Sequence, residues 1–236
     1  MKIVIISDLH GNFDALSALQ EDYDQLWVLG DLVNYGPQPA EVIAFVRKHA
    51  THKVRGNHDH CIGFGEDARC SRRFREMADA TRKYTDSILG EDDKKYLRGL
   101  PLQIDAQVGN IRCRLCHAVP SDPLFMYCQP DSDRWAEECR LAGTEVLLVG
   151  HTHIPFSRQI GNTLVVNPGS LGQPKSGAPR ASYAVLKDGR LDLRSFAYPV
   201  DKTAEKIRAM PISVAIQEDL ITVLRTGAAP EQRGKD

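Results

Sequence analysis

The sequence predicts an α/β fold: a four-layer α/β/β/α sandwich of two mostly mixed sheets with a helical insertion. Three observations carry this. Over the first 55 residues, short β-branched apolar runs alternate with segments of helical period, as βαβ units of a parallel core require. Beyond residue 100 a second set of strand-like runs appears, two pairs of them flanking the turn signals Gly161-Asn162 and Asp188-Gly189. Between the two halves, residues 66–100 are polar and charge-rich with helical spacing, which reads as an insertion or cap.

Taken in order, Lys2–Ile6 is a continuous apolar run, the mark of a strand buried on both faces. Asn12–Asp22 follows as a helix, with Phe13, Leu16 and Leu19 on one face. Leu26–Leu29 is a second buried strand, Pro39–Ala50 a helix carrying Val42, Ile43 and Val46, and Lys53–Arg55 a short third strand. Helices are expected near 71–89 and 91–98. Leu102–Gln107 and Ile111–Cys116 read as strands, Asp131–Leu141 as a helix and Glu145–Val149 as a strand. Strands at 156–160, 163–166, 182–187 and 190–197 complete the second half. The domain thus spans 1–200. A C-terminal tail, 201–236, is helical to about Arg225 and disordered beyond it.

A chain of 236 residues builds one sizeable core without staples. With 42% hydrophobic and 26% charged residues it is an ordinary globular composition. The 30 basic and 31 acidic residues leave a net charge of -1, so no overall field favours nucleic acid or an anionic membrane. The opening MKIVIISDLHGN has too short an apolar run for a secretory signal, and no segment is apolar enough to span a bilayer. The expectation is a cytoplasmic protein whose six cysteines are reduced thiols. The sequence specifies no oligomeric state.

Polar clusters stand where strands end. They are Asp8-Leu9-His10, Gly30-Asp31, Gly56-Asn57-His58-Asp59, His117 and Gly150-His151-Thr152-His153. Ligands of parallel α/β sheets gather beyond the carboxyl ends of strands. Carboxylates, imidazoles and an amide carbonyl suit divalent metals. Alternation along an extended segment can point Asp8 with His10, and His151 with His153, to one side. Gly30, Gly56 and Gly150 allow close backbone approach. Each cluster alone is an ordinary turn, but five of the eight histidines fall in them. His49, His52 and His60 read as surface or structural residues.

His117 also closes Cys113-Arg-Leu-Cys116-His117, the C-x-x-C-H pattern of c-type haem attachment. Strand alternation puts Cys113 and Cys116 on opposite faces, so the thiols do not converge. They read as packing cysteines.

The five blocks, in this order, resemble the calcineurin-like metallophosphoesterases, whose motifs run D-x-H, G-D, G-N-H-D/E, H and G-H-x-H. The resemblance covers about residues 3–172 and implies the four-layer sandwich. It implies that Asp8, His10 and His153 hold one divalent ion, that Asn57, His117 and His151 hold a second, and that Asp31 bridges them. The ions would be Mn, Fe, Zn or Ni. About 3.5–4 Å apart, such ions clamp an in-line displacement at phosphorus, with a hydroxide between them as nucleophile. His58 is the candidate general acid for the leaving oxygen, with Asn34 and Asp59 as further candidate catalytic residues.

One departure narrows the reading. The protein-phosphatase branch carries G-D-x-x-D-R-G, whose second Asp orients the catalytic histidine. Here Asn34 and Tyr35 replace that Asp and Arg, so His58 should be less basic and a phosphate-gripping Arg is missing. This points to the small phosphodiesterase-like branch, acting on a small phosphorylated substrate such as a nucleotide or dinucleoside polyphosphate. Arg69, Arg72, Arg73, Arg75, Arg82 and Lys83 read first as a solvated helix face, and second as a cap gripping another substrate phosphate. Asn167-Pro168-Gly169-Ser170 resembles a structural turn of the family. The alternatives are a phosphomonoesterase, or a catalytically weak metal-binding scaffold for a protein partner, as the retromer subunit of this fold is. That subunit lacks the G-N-H-D histidine, which this chain keeps.

Overall fold

Ile3, Val4, Ile5 and Ile6 are all fully buried, which requires a strand covered on both faces. In the computed structural model that strand is β1 (Lys2–Ile6), the centre of the first sheet. The structure describes residues 1–72 and 74–230. Arg73, counted among the basic residues of the insertion, and the part of the tail from 231 lie outside the described residues.

Beside β1 lie β2 (Gln25–Val28) and β3 (Ala50–Lys53) in parallel, and β9 (Ala181–Lys187) antiparallel, with β10 (Arg190–Phe196) at the edge. The second sheet has β5 (Ile111–Cys116), β6 (Val146–Leu148) and β8 (Thr163–Asn167) in parallel. Antiparallel β4 (Gln103–Val108) and β7 (Phe156–Ile160) form its edges. Both sheets are mixed, as expected.

Ile3, Ile5, Trp27, Leu29 and Ala184 of the first sheet pack on Cys113, Leu115, Leu148 and Val166 of the second. The other face of the first sheet, with Val4, Ile6, Leu26 and Val28, meets Leu16 of α1 (Phe13–Ser17) and Ile43 of α2 (Pro39–His49). The other face of the second sheet packs Cys116, Leu147 and Val165 on Trp135 and Cys139 of α6 (Trp135–Ala142). These are the four layers. Cys113 and Cys116 lie in different layers, as strand alternation requires, and both are free thiols.

The departures from expectation have local causes. The first helix ends at Ser17, not Asp22, although Asn12 caps its start by accepting from Ala15 N–H at 3.1 Å. The Glu21 carboxylate instead pairs with Lys2 and accepts from Tyr183 and Arg194, which holds this stretch against the strands. Strand β3 stops at Lys53 because Arg55 N–H donates to Pro101 C=O rather than to the sheet. Helix α3 (Asn57–Phe64) was not expected. Its signal was Asp59, which sits at the third helical position and accepts from Gly56 N–H at 3.0 Å. The tail forms two helices, α7 (Val200–Arg208) and α8 (Val214–Thr226), interrupted around Pro211. Gln217 donates to the carbonyls of Arg208, Met210 and Ile212, satisfying groups the break leaves open.

The insertion forms α4 (Arg75–Ile88) and α5 (Glu91–Gly99). They pack separately. Leu97 of α5 joins the outer layer of the first sheet, whereas Met77 and Ala78 of α4 pack with Ile207, Leu220 and Leu224 of the tail. Among the described residues, no helix is long and apolar enough to cross a membrane.

Leu220 is 2% exposed in the cluster shared by α4 and α8. Leu220→Ala should cost about 2–5 kcal/mol in urea unfolding. It should also speed protease cleavage near Ala68, Cys70 and Phe74, distant in sequence but in the same cluster. Unchanged cleavage there would mean that α8 does not support the insertion.

Candidate metal centre

The seven residues expected to hold metal lie together, none more than 2% exposed. One group joins Asp8, His10, Asp31 and His153, and a second joins Asp31, His117 and His151. Within each, one ligand-capable atom per residue lies within 4.8 Å of the others. Asp31 belongs to both.

Backbone turns bring these side chains together, not strand alternation. Asp8, His10, Asp31, His151 and His153 all have positive φ, between 45° and 67°. The expectation that alternation aligns Asp8 with His10, and His151 with His153, is therefore corrected: both pairs sit in left-handed turns after the strands. Such conformations cost about 1–3 kcal/mol each outside glycine. Neighbouring chain holds them, as Asp8 N–H donates to Gly30 C=O (3.0 Å), His10 N–H to Asp31 C=O (2.9 Å) and Gly172 N–H to Asp8 C=O (3.0 Å). A Cβ at Gly56 would stand 2.1 Å from the Asp31 carboxylate, and one at Gly150 would stand 2.1 Å from Ser7 Oγ. Glycine is required at both.

The imidazoles are oriented from behind. Nδ1–H donates to Val33 C=O in His10 (3.0 Å), to Leu29 C=O in His117 (2.7 Å) and to Gln173 C=O in His153 (2.6 Å). A carbonyl only accepts, so each proton is on Nδ1 and each Nε2 faces the cluster. His10 Nε2 lies 3.1 Å from His153 Nε2, and His117 Nε2 lies 3.1 Å from Asn57 Oδ1. Asp31 Oδ2 lies 3.2 Å from His117 Nε2 and 3.6 Å from His10 Nε2. Asp8 Oδ1 and His151 Nε2 are buried with no hydrogen-bond partner among the described residues. A buried set of lone pairs converging on one another fits a divalent cation.

Burial pushes His10, His151 and His153 well below the usual histidine range, to the neutral form a metal needs. Burial acts the same way on His117, but the charges of Asp31 and Asp8 outweigh it and lift His117 to about 9. Burial would raise Asp31, yet His117 and His58 hold it well below the usual carboxylate range. Asp8 is pushed up by burial to about 6.

The candidate catalytic residues divide. Asn34 Nδ2 is 2.9 Å from His58 Nδ1. Asp59 accepts from the N–H groups of Asp31 (2.8 Å), Leu32 (2.8 Å) and Gly56 (3.0 Å). Its carboxylate is thereby committed to holding the Asp31 turn. His58 was expected to be less basic than in the protein-phosphatase branch, because Asn34 carries no charge. Burial does lower it, but Cys70 and Asp31 outweigh burial and raise it.

Cys70 escaped the sequence reading. Its Sγ is 3.3 Å from His58 Nε2, and Tyr35 OH donates to it at 3.5 Å. Burial opposes ionisation of this thiol, but His58 and the Tyr35 hydroxyl lower its pKa. No spacing signal marks a cysteine in a charge-rich insertion. Lys175, 3.4 Å from His153 Nε2, and Tyr127, packed at a tilt on His151 with centroids 3.9 Å apart, were also missed. Both lie outside the motif blocks.

Of the basic residues in the insertion, Arg72, Arg75 and Lys83 are exposed, as a solvated face requires. Arg82 donates to Gly65 C=O, and Arg69 stacks on Phe125 at 4.3 Å. Asn167 donates to Gly150 C=O (2.6 Å) and Ser170 to Asp8 C=O (2.7 Å), so the Asn-Pro-Gly-Ser turn pins two metal-site loops. The large groove, about 570 Å³ and bordered by Arg47, Lys53, Lys95 and Tyr96, includes none of the motif residues.

Residues 1–188 match the model of the calcineurin-like phosphoesterase superfamily domain. An uncharacterised protein of Methanocaldococcus jannaschii is 30% identical over 87% of this chain and 91% of its own length. The phosphodiesterase YfcE of Escherichia coli is 26% identical over 82% and 91%. A symmetrical bis(5'-nucleosyl)-tetraphosphatase of Psychromonas ingrahamii is 43% identical over 67 residues, 25% of this chain and 24% of that one. The crystal structure of a metallophosphoesterase from Sphaerobacter thermophilus has a TM-score of 0.82 at 28% identity, covering 97% of this chain and 99% of that one.

The thiols offer a test of the His58–Cys70 contact. Burial raises Cys61, Cys113, Cys116, Cys128 and Cys139, whereas Cys70 is lowered. Iodoacetamide at neutral pH should mark Cys70 before the other five, read by peptide mass spectrometry, and His58→Ala should slow that labelling. Labelling of Cys70 at the same rate in both proteins would show that His58 does not activate it.

Proposed function

Because the chain belongs to the calcineurin-like phosphoesterase superfamily, and so to the metal-dependent phosphoric ester hydrolases, we propose that it is a binuclear phosphodiesterase acting on a small phosphorylated substrate. The observation that carries this is the convergence of two carboxylates and four imidazoles, with Asp31 shared between both groups. In this reading Asp8, His10 and His153 hold one ion, Asn57, His117 and His151 the other, and Asp31 bridges them. The similarity to the Escherichia coli phosphodiesterase, over 82% of this chain, favours a diester. The similarity to the tetraphosphatase, confined to 67 residues, makes dinucleoside polyphosphates the second reading. We take residues 1–200 as the catalytic domain, with the 66–100 insertion and the 201–236 tail packed beside it.

Two divalent ions, when bound, would lower the pKa of water and neutralise phosphoryl oxygens. The chain supplies the rest. The backbone carbonyls of Val33, Leu29 and Gln173 fix the tautomers of three imidazoles. Asp59 holds the turn that presents Asp31. His58, oriented by Asn34, gives a proton to the leaving oxygen from Nε2, the atom that Cys70 meets at 3.3 Å.

The reading is tested on metal-free protein, with Mn, Fe, Zn or Ni restored singly and diesters, monoesters and pyrophosphates offered as substrates. Diester turnover should return only with metal. Two bound ions with no hydrolysis of any substrate would leave the scaffold reading instead.

His58→Ala should keep both ions and cut turnover about 10²–10⁴-fold on alkyl esters. The loss should be smaller on aryl esters, whose leaving group needs little protonation. An equal loss on both would remove His58 from the acid role.

His117→Ala should take bound metal from two ions towards one, while Cys113→Ala and Cys116→Ala leave it at two. Below about 9, an ion at this position must displace the His117 proton, so wild-type affinity should rise by up to about tenfold per pH unit up to that point. A pH-independent affinity between pH 6 and 8, read by calorimetry, would count against His117 as a ligand.

A further inference from the structure

Lys175 is a cation without an anion. Its ammonium lies 3.4 Å from His153 Nε2 and 4.1 Å from the centre of the Phe74 ring. Among the described residues no ion pair includes it, although Asp8 and Asp31 belong to the adjoining cluster. An ammonium has three donors, and a ring face and one imidazole lone pair are weak company for them.

Its position is built into the same turn that aims His153. Gln173 C=O accepts from His153 Nδ1 at 2.6 Å, two residues before Lys175. Gln173 N–H donates to Ser170 Oγ at 2.7 Å, and Ser170 in turn donates to Asp8 C=O at 2.7 Å. The lysine is therefore tied to the metal-site loops on its N-terminal side. Two residues before it, the Gln173 carboxamide is buried, 2% exposed, and neither its nitrogen nor its oxygen has a partner among the described residues. It borders His10 and Tyr35. One turn thus brings a half-buried cation to His153 and, two residues earlier, an unsatisfied buried amide to the cavity lined by His10 and Tyr35.

The Nε2 lone pair that Lys175 meets is the one His153 would give to an ion. Were it given to an ion, the ammonium would lose that acceptor and stand beside a second positive charge. A charge in that position needs an anion that arrives with the metal or after it. A phosphoryl group meets the need, because its non-bridging oxygens can bind an ion and an ammonium at once.

We propose that Lys175 is a substrate-binding residue that receives a non-bridging oxygen of the scissile phosphoryl group, with the Gln173 carboxamide as a second contact. This rests on the phosphoesterase reading above. It assigns the ground-state grip on phosphate to the loop after the Asn-Pro-Gly-Ser turn, and favours phosphoryl groups with a full negative charge on exposed oxygens.

The test is calorimetric titration of inorganic phosphate into the metal-loaded full chain, with bound metal counted in each sample. Lys175→Met keeps the length and the contact with Phe74 but removes the charge. It should raise the phosphate Kd about 10–100-fold with two ions still bound. Lys175→Arg should restore most of the affinity. An unchanged Kd in Lys175→Met, against tight wild-type binding, would overturn this assignment alone. A rise that follows loss of an ion would overturn it too, by making Lys175 part of the metal-holding set. Wild-type protein that holds two ions but no phosphate would sink the phosphoesterase reading and this assignment with it.

Discussion

The site depends on a set of left-handed turns clamped across strand ends. Nine non-glycine residues among those described have positive φ, and seven of them lie in the loops that carry the candidate metal and catalytic residues. At about 1–3 kcal/mol each, that strain is large against the net stability of a domain. It persists because the turns bond to one another. Asp8 and His10 donate to Gly30 and Asp31, Gly150 donates to His117, and Leu171 and Gly172 donate to Ser7 and Asp8. The bonds to Gly30 and His117 extend interstrand pairing past the sheets, while Leu171 and Gly172 clamp the end of β1 from a loop. The geometry of the centre is thus a property of how strand ends meet, and the core beneath holds those ends at fixed separation.

The same arrangement explains why so many charges and imidazoles tolerate burial. A buried polar atom must be satisfied. Here the satisfaction comes from outside the cluster, through Nδ1 to main-chain carbonyls and through main-chain N–H groups to Asp31 Oδ1 and Asp8 Oδ2. What is left unsatisfied faces inward. Burial keeps three histidines neutral, while His117 and Asp31 hold each other in their charged forms. A metal centre is then the state in which the inward atoms cease to be a liability.

Much of this was legible in the sequence, and the rest was hidden for physical reasons. The buried strands announced themselves by apolar runs, and the order of five short motifs named the residues that the structure brings together. Three kinds of feature could not be read that way. The early end of α1 depends on Glu21 meeting Tyr183 and Arg194, partners more than 150 residues away. The turn geometry was mistaken for strand alternation because Asp-x-His has the same spacing in both. Cys70, Tyr127 and Lys175 have no periodicity and no motif around them; only tertiary packing brings them to the cluster.

Those three residues lie outside the motif blocks, yet each touches a residue within them. The motif residues build a generic centre, and Asn34 and Tyr35 remove the charge and the Arg that the protein-phosphatase branch uses. The structure places other groups nearby: Tyr35 OH donates to Cys70, Cys70 meets His58, and Lys175 stands at His153. Cys70 and Phe74, the ring under Lys175, share one apolar cluster with α4, α7 and α8. The packing of the tail therefore bears on the charge state of His58 and on the aim of Lys175. The C-terminal helices supply none of the candidate ligands, yet through Cys70 and Phe74 they reach the surroundings of His58 and Lys175.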